Sequence, residues 1–273
     1  MADGESWPAL AARSCDAACM PARALRFGGV AAAYERFRPG YPVELVDVVM
    51  TYASQPIRTA LEIGAGTGKA TRLFDRAGVR VTASDPDAAM LAELRTQVPN
   101  ARTVHAAFEA LPLGESFELV YSAAALHWTR PEGRWSRVAA LLRPDGVFAN
   151  VAGPMQLVNP SVVQAVQAAR EPFLMSDEVP PPDGTSWEDH LRWPGTELRR
   201  SEWFDDVQQV VIERCLIMAG PDYVGYLSTV SAYLELPASV QEQVYREISA
   251  VLPETVEVSA RLTVHLARRR DRQ

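Results

Sequence analysis

The most chemistry-specific spacing in the chain is Glu62-Ile63-Gly64-Ala65-Gly66-Thr67-Gly68. It follows Thr59 to Ile63, a short apolar run that reads as a buried strand, and precedes Lys69 to Ala77, which reads as a helix. Glycines at such a turn let a ligand approach the backbone and adopt positive φ where the turn needs it. Amides at the start of the helix favour a negative or polar group. A dinucleotide loop would need G-x-G-x-x-G, but position 69 is Lys where the third small residue would stand. The spacing here is G-x-G-x-G, with an acid two residues before the first glycine. That acid, Glu62, would repel a pyrophosphate and hold a cofactor bearing an ammonium and a sulfonium.

Asp85 closes the second predicted strand, Val79 to Ser84, where a carboxylate can accept hydrogen bonds from both hydroxyls of a ribose. The alternative is that it caps the following helix, Asp87 to Gln97. His127-Trp128 follows the fourth predicted strand, Phe117 to Ser122. His127 is open to three roles: a general base on an acceptor hydroxyl or amine, a hydrogen-bonding guide for the acceptor, or a structural residue with Trp128 as core.

Strand and helix alternate with short links from Thr59 to Val151, which predicts a parallel sheet with right-handed crossovers. The further strands in that stretch are Ala101 to Ala106 and Val147 to Val151, and Trp135 to Leu142 is a helix. Upstream, Phe27 to Phe37 and Val43 to Tyr52 read as helices separated by Arg38-Pro39-Gly40-Tyr41-Pro42. Residues 1–26 read as a tail or a loosely docked cap, and 27–273 as one domain. Residues 154–206 break the rhythm: a helix from Ser161 to Leu174, a proline-rich stretch, then Trp187, Trp193 and Trp203. A long insertion after the fifth strand can cover a site at the strand ends, so we expect it to form the acceptor side. Val207 to Met218 reads as a strand, Tyr223 to Leu236 and Ala238 to Leu252 as helices, and Val256 to Ala267 as one long alternating strand.

The 273 residues, 48% of them hydrophobic, suffice for one large α/β domain. A net charge of -7 argues against a polyanionic nucleic acid as partner. The basic run Arg268-Arg269-Arg270 with Arg272 reads as a solvated C-terminus rather than a binding patch. Cys15, Cys19 and Cys215 imply neither a disulfide framework nor a zinc site, and no metal is expected. No signal peptide and no apolar stretch of membrane-spanning length is present in the sequence, so the expected location is the cytoplasm, with no membrane partner.

Together, Leu61 to Gly68, Ala83-Ser84-Asp85-Pro86-Asp87-Ala88-Ala89-Met90-Leu91, Phe117 to Ser122 and Leu142-Arg143-Pro144-Asp145-Gly146-Val147 resemble the class I S-adenosylmethionine (SAM)-dependent methyltransferase superfamily, over roughly residues 27–153. A narrower resemblance, to the type 11 branch that includes trans-aconitate-type carboxyl methyltransferases, rests on three segments: Tyr34 with Arg36 to Pro42, Ala125-Leu126-His127-Trp128, and Ser231-Ala232-Tyr233. The resemblance implies an α/β fold with a Rossmann-like, mostly parallel seven-stranded sheet. It also implies an antiparallel final strand, helices on both faces, and a helical and aromatic insertion after strand 5. It implies SAM as cofactor, S-adenosylhomocysteine as product, and a small-molecule acceptor. Glu62 would meet the methionine ammonium, directly or through water. Gly64, Ala65, Gly66, Thr67 and Gly68 would line the methionine and ribose, and Asp85 would hold the ribose hydroxyls. Pro86 and Met90 would pack near the adenine, Ser122 would approach from the fourth strand, and Arg38 would pair with the cofactor carboxylate. Tyr34, His127, Trp128 and Tyr233 would meet the acceptor. Family members often carry an Asp after the third strand that meets the adenine amine; here that position is Ala107, leaving backbone, water or Glu109, with Phe108 as an apolar contact.

Methyl transfer from a sulfonium is a direct displacement with a neutral leaving group, so alignment and exclusion of water can carry much of the catalysis. A carboxylate acceptor needs no base, whereas an enol or alcohol can use one. Two other readings stand beside methyl transfer. One is a SAM-fold protein recruited for cyclisation or decarboxylation. The other is a nicotinamide-dependent oxidoreductase, against which the glycine spacing and Glu62 speak.

Overall fold

The computed structural model describes residues 25–177, 181–185 and 190–271. The expectations for residues 1–24, including Cys15 and Cys19, and those for Trp187 and Arg272 lie outside the described residues.

Thr59–Ile63 forms β1, and all but its first residue are buried, as befits a strand covered on both faces. Its neighbours are β2 (Arg80–Asp85) and β4 (Phe117–Ala123), both parallel to it. β3 (Arg102–His105) adds to β2, and β5 (Leu142–Ala152) adds to β4. Two helices precede the sheet: α1 (Ala31–Phe37) and α2 (Glu44–Tyr52). Three more link its strands: α3 (Lys69–Arg76), α4 (Ala88–Gln97) and α5 (Arg134–Leu141). The second half adds β6 (Gln156–Leu157), α6 (Pro160–Arg170), α7 (Gly195–Arg200), β7 (Phe204–Ile212) and β8 (Cys215–Ala219). It ends with α8 (Gly220–Leu227), α9 (Ser231–Leu234), α10 (Ala238–Val251), β9 (Thr255–Ser259) and β10 (Leu262–Arg269).

The main sheet has seven strands in the order β3-β2-β1-β4-β5-β10-β7. β10 runs antiparallel to both β5 and β7, and the other pairings are parallel, so the Rossmann-like sheet with an antiparallel final strand is what the structure holds. Strand order reverses between β1 and β4. The loops leaving these two strands therefore diverge and open a crevice at the carboxyl ends.

Four expectations need correction. The alternating run Val256 to Ala267 is two strands: β9 pairs with β8 in a separate three-stranded sheet, and β10 joins the main one. Val207 to Met218 likewise divides between β7 and β8. Both strands leave the main sheet at the same level, where the Ala260 amide donates to the Arg214 carbonyl at 2.8 Å. Gly153 lies under that bend, and a Cβ there would sit 1.9 Å from the Arg261 carbonyl oxygen. The helix expected over Tyr223 to Leu236 breaks into α8 and α9 around Ser228-Thr229-Val230. Arg268 and Arg269 belong to β10 rather than to a solvated tail. Arg268 donates to the Tyr52 carbonyl at 3.0 Å and Arg269 to the Leu142 carbonyl.

The core lies on both faces of the main sheet. Leu45, Val49, Phe74 and Tyr121 pack on one face, and Leu61, Val138, Phe148 and Phe204 on the other. A third cluster joins α6, α8 and α10 to the small sheet through Val166, Tyr226, Val244, Ile248 and Val258. This third cluster places a second wall opposite the crevice.

Candidate active site

A cavity of about 1170 Å³ opens where β1 and β4 diverge and runs without interruption to the wall made by α6 and α8. At its inner end, Gly64 and Gly66 bring bare backbone to the cavity with φ of +67° and +55°. A Cβ on Gly64 would lie 2.4 Å from the Ala125 Cβ, so the β1 and β4 loops meet only because position 64 has no side chain. Ala65 and Gly68 support the turn without reaching the cavity wall. The Ala65 amide donates to the Ser84 carbonyl at 2.9 Å, and Gly68, with φ of +86°, is the N-cap of α3.

Asp85 lies on the cavity wall at 8% exposure. One oxygen accepts the Gly66 amide at 2.9 Å and the other the Asp87 amide at 2.8 Å. Burial pushes its pKa up, the two amides pull it down, and the net direction is upward. A carboxylate offers about four lone-pair sites, so the two amides leave acceptor capacity for a pair of sugar hydroxyls. Asp87, not Asp85, caps α4, accepting from the Ala89 and Met90 amides at 2.8 and 3.3 Å. Pro86, Met90, Phe108 and Glu109 also line this end, and the Glu109 Oε1 accepts the Arg130 amide at 2.7 Å.

Glu62 sits behind the turn. Its carboxyl is 1% exposed and off the cavity wall, and its Oε2 accepts from Thr71 at 2.5 Å and Tyr121 at 2.8 Å. The register pairing Glu62 with Tyr121 makes that contact obligatory. Burial lifts the Glu62 pKa from 4.5 to about 7 against the pull of the two hydroxyls. Ser122 is wholly buried and donates to the Ile63 carbonyl at 3.1 Å, and it too stays off the wall.

Thr67 points elsewhere, donating to Glu35 Oε2 at 2.7 Å. Glu35 also takes Arg72 Nη2 at 2.7 Å and Lys69 Nζ at 3.3 Å, while Lys69 donates to the Glu35 carbonyl at 2.7 Å. Burial works against the Glu35 carboxylate, but Arg72, Thr67 and Lys69 outweigh it and hold its pKa below the ordinary value. Sequence reasoning missed Glu35. The available signal was its place in α1 beside Tyr34 and Arg38, together with the chain's single lysine at the start of α3.

Arg38 lines the cavity from the end of α1. Its Nε donates to Thr229 Oγ1 at 2.8 Å and its Nη2 to the Thr229 carbonyl at 2.9 Å, and the guanidinium lies 5.1 Å from the Tyr34 ring and 4.8 Å from the Tyr226 ring. His127 and Trp128 stand on the wall just beyond Ala125, with ring centroids 4.6 Å apart. Phe27 meets Tyr34 and Trp128 edge-on at 6.1 and 6.0 Å, and all three rings border the cavity. Trp193 lines the cavity, whereas Trp203 packs against the core cluster around Phe204.

Tyr233 is 0% exposed and off the wall, so its side chain does not front the cavity as expected. Its hydroxyl lies 3.3 Å from Asp177 Oδ2, and Asp177 is ion-paired with Arg170; both of these partners do line the cavity. Burial alone would depress the Arg170 guanidinium, but Asp177 and Tyr233 hold it above its ordinary value.

The inner end therefore fits an adenosyl cofactor: bare glycine backbone, a buried carboxylate with acceptor capacity to spare, and apolar Pro86, Met90 and Phe108 beside it. Among the described residues, no cluster of His, Cys, Asp or Glu could hold a metal ion.

Comparison with known proteins agrees with this geometry. Residues 61–150 match a methyltransferase domain. An uncharacterised methyltransferase of Mycobacterium tuberculosis is 42% identical over 124 residues, 45% of this chain and 49% of the relative. The malonyl-[acyl-carrier protein] O-methyltransferase of Enterobacter lignolyticus is 37% identical over 131 residues, 44% of this chain and 51% of the relative. The matched stretch thus spans about half the length of these curated relatives. A solved structure from Anaeromyxobacter dehalogenans, described as a type II methyltransferase, superimposes with a TM-score of 0.57 at 26% identity, covering 85% of this chain and 97% of its own. Residues 61–150 therefore form a methyltransferase domain, and the chain shares the fold of that solved methyltransferase.

Proposed function

We propose that the protein transfers a methyl group from SAM to a small-molecule acceptor by direct displacement. The observation that carries this reading is the single cavity of about 1170 Å³ that joins the glycine turn and Asp85 to the α6 and α8 wall, so that both reactants share one chamber. SAM supplies the electrophilic methyl on its sulfonium.

Asp85 is placed to accept from the sugar hydroxyls, and Met90, Pro86 and Phe108 pack the base. Arg38, held by Thr229 between Tyr34 and Tyr226, brings an oriented cation to the cavity for the cofactor carboxylate. Glu62 acts from behind the turn, where its hydrogen bonds tie β1 to α3 and β4. Phe27, Tyr34 and Trp128 close apolar surface over the chamber, which excludes water and strengthens alignment. Among the described residues the cavity wall carries one imidazole, that of His127, and it is the group placed to orient the acceptor. The type 11 resemblance and the acceptor role of residues 154–206 are consistent with α6 and Trp193 bordering the chamber. No described helix is long and apolar enough to cross a membrane.

Calorimetry with SAM and S-adenosylhomocysteine, followed by label transfer to an acceptor panel, tests the reading. Asp85→Ala is expected to weaken SAM binding by about tenfold or more, the loss of one charge-assisted pair of hydrogen bonds. Unchanged affinity removes Asp85 from the sugar site, and absence of any SAM heat overturns the function.

A further inference from the structure

The far end of the chamber is built differently from the cofactor end. α6 presents Val163, Val166, Gln167 and Arg170 to the cavity, the spacing that puts four side chains on one helical face. α8 presents Tyr223, Tyr226 and Leu227 across from them. Apart from Gln167, the wall that these residues form is apolar and aromatic until it reaches Arg170, Asp177 and Tyr223.

There, among the described residues, the charges cancel. Arg170 Nη1 is paired with Asp177 Oδ1, and the second oxygen of Asp177 faces the Tyr233 hydroxyl at 3.3 Å. Tyr233 in turn is stacked on Tyr245 with centroids 5.8 Å apart, so the Asp177 carboxylate is braced from behind. Arg170 Nε is buried and, among the described residues, has no hydrogen-bond partner. A cluster with both donors and acceptors but no net charge suits a neutral polar group. A carboxylate there would confront Asp177, and an ammonium would confront Arg170.

We infer that the acceptor is a largely apolar molecule whose end remote from the methylated group carries one neutral polar function, a hydroxyl or a carbonyl, seated at Arg170, Asp177 and Tyr223. The inference rests on the reading of the chamber as a shared cofactor and acceptor site. It sets this protein apart from enzymes whose acceptor carries several carboxylates, because Asp177 is ion-paired with Arg170 and neutralises it.

The test uses the full chain saturated with S-adenosylhomocysteine and measures binding by calorimetry. The probes are ω-hydroxy fatty acids of graded length and their parent fatty acids, with the matching α,ω-dicarboxylates and ω-amino acids. At the best length the ω-hydroxy acid is expected to bind about tenfold more tightly than the dicarboxylate and the ω-amino acid, and more tightly than the parent acid. Asp177→Asn is expected to shift preference by about tenfold toward the dicarboxylate, and Arg170→Gln toward the ω-amino acid. Opposite shifts of these two variants would not arise from a structural role alone. Equal or tighter binding of the dicarboxylate by the unmodified chain, no shift in either variant, or no binding of any probe overturns the inference. Failure of S-adenosylhomocysteine itself to bind instead overturns the function beneath it.

Discussion

Replacing Glu62 by glutamine tests how the floor beneath the glycine turn is built. The carboxyl is 1% exposed and its Oε2 accepts from Thr71 and Tyr121. Burial dominates its titration and lifts the pKa from 4.5 to about 7, with Asp85 adding to the rise. Below about pH 4.5 the group is neutral in the folded and unfolded chain alike, and its burial carries no ionisation penalty. Between 4.5 and about 7 the folded chain keeps a proton that the unfolded chain has lost, so stability falls as pH rises. Above about 7 both states are ionised and the full penalty stands, about 3 kcal/mol at ~1.4 kcal/mol per pH unit. Glu62→Gln keeps an oxygen for both hydroxyls and cannot ionise. It is expected to melt roughly 6 °C above the parent at about pH 8 for a chain of this size, and level with it near pH 4.5.

His265 makes the comparison between variant and parent more informative than the parent alone. It is 2% exposed, its Nε2 faces Gln209 at 2.8 Å, and burial, reinforced by Arg192, lowers its pKa from 6.5 to about 4. Its contribution is fully present above 6.5 and is lost as pH falls toward 4. Over nearly the same window Glu62 and His265 therefore act with opposite slopes, and the parent melting curve is expected to be almost flat where each group titrates. The glutamine variant should expose the His265 slope, losing stability on acidification that the parent does not lose. Circular-dichroism melts from about pH 4.5 to about pH 8 at fixed ionic strength measure both. A difference between variant and parent that stays constant across that range refutes the reasoning, and so does a variant less stable than the parent at about pH 8.

Three other outcomes follow from the same structure. His265→Phe should abolish the acid-side loss that Glu62→Gln exposes when the two are combined; a double variant as acid-sensitive as the single one counts against His265. Glu35→Ala removes the carboxylate that Thr67, Lys69 and Arg72 share and leaves Lys69 only the backbone carbonyl, so Lys69, the chain's single lysine, should become several-fold more reactive toward amine acylation, read by peptide mass. An unchanged labelling rate would mean that α1 is not held through Glu35. Gly64→Ala places a Cβ 2.4 Å from the Ala125 Cβ at φ +67°, at a cost of about 1–3 kcal/mol, and should abolish SAM heat while leaving a cooperative melt. Retained affinity would show that the close approach of the two loops is dispensable.

What the sequence disclosed depended on how far apart the interacting residues lie. The β1 turn and its glycines, the Asp85 position and the order of the first five strands rest on local patterns; the structure holds the first four strands within one residue of the expected bounds, whereas β5 begins at Leu142, five residues before the expected Val147. The strands at the chain's end were legible as strands but not as four elements. Alternation reports which face a residue takes, not which strand it pairs with. Val258 and Val264 both alternate inward, yet one faces the small sheet's core and the other the main one. Glu62 carries the same lesson for chemistry: its spacing before the glycines was visible, whereas the Tyr121 hydroxyl that claims it comes from a strand 59 residues away. Tyr233 was placed against the acceptor by resemblance, but its hydroxyl works through Asp177, 56 residues distant.

These long-range partners also explain why α1, only seven residues long, matters to the whole site. An isolated helix of that length would not persist in water, so its position must come from its neighbours. On one side Glu35 meets three residues at the turn and start of α3; on the other Arg38 meets Thr229 in the break between α8 and α9, and Phe37 packs on Gly225 of α8. The break that defeats a continuous helix from Tyr223 to Leu236 is what frees the Thr229 carbonyl to accept from Arg38. The same helix is thus bonded to the glycine turn and to the acceptor wall, and a displacement of either end changes the chamber between them. Separating the two anchors follows directly: Thr229→Val loosens Arg38 at the acceptor wall and should weaken both the acceptor and SAM, whose carboxylate is assigned to Arg38, whereas Glu35→Ala loosens only the turn and should weaken SAM alone. Equal losses of both ligands in both variants would show that α1 moves as one rigid strap rather than as a joint with two independent ends.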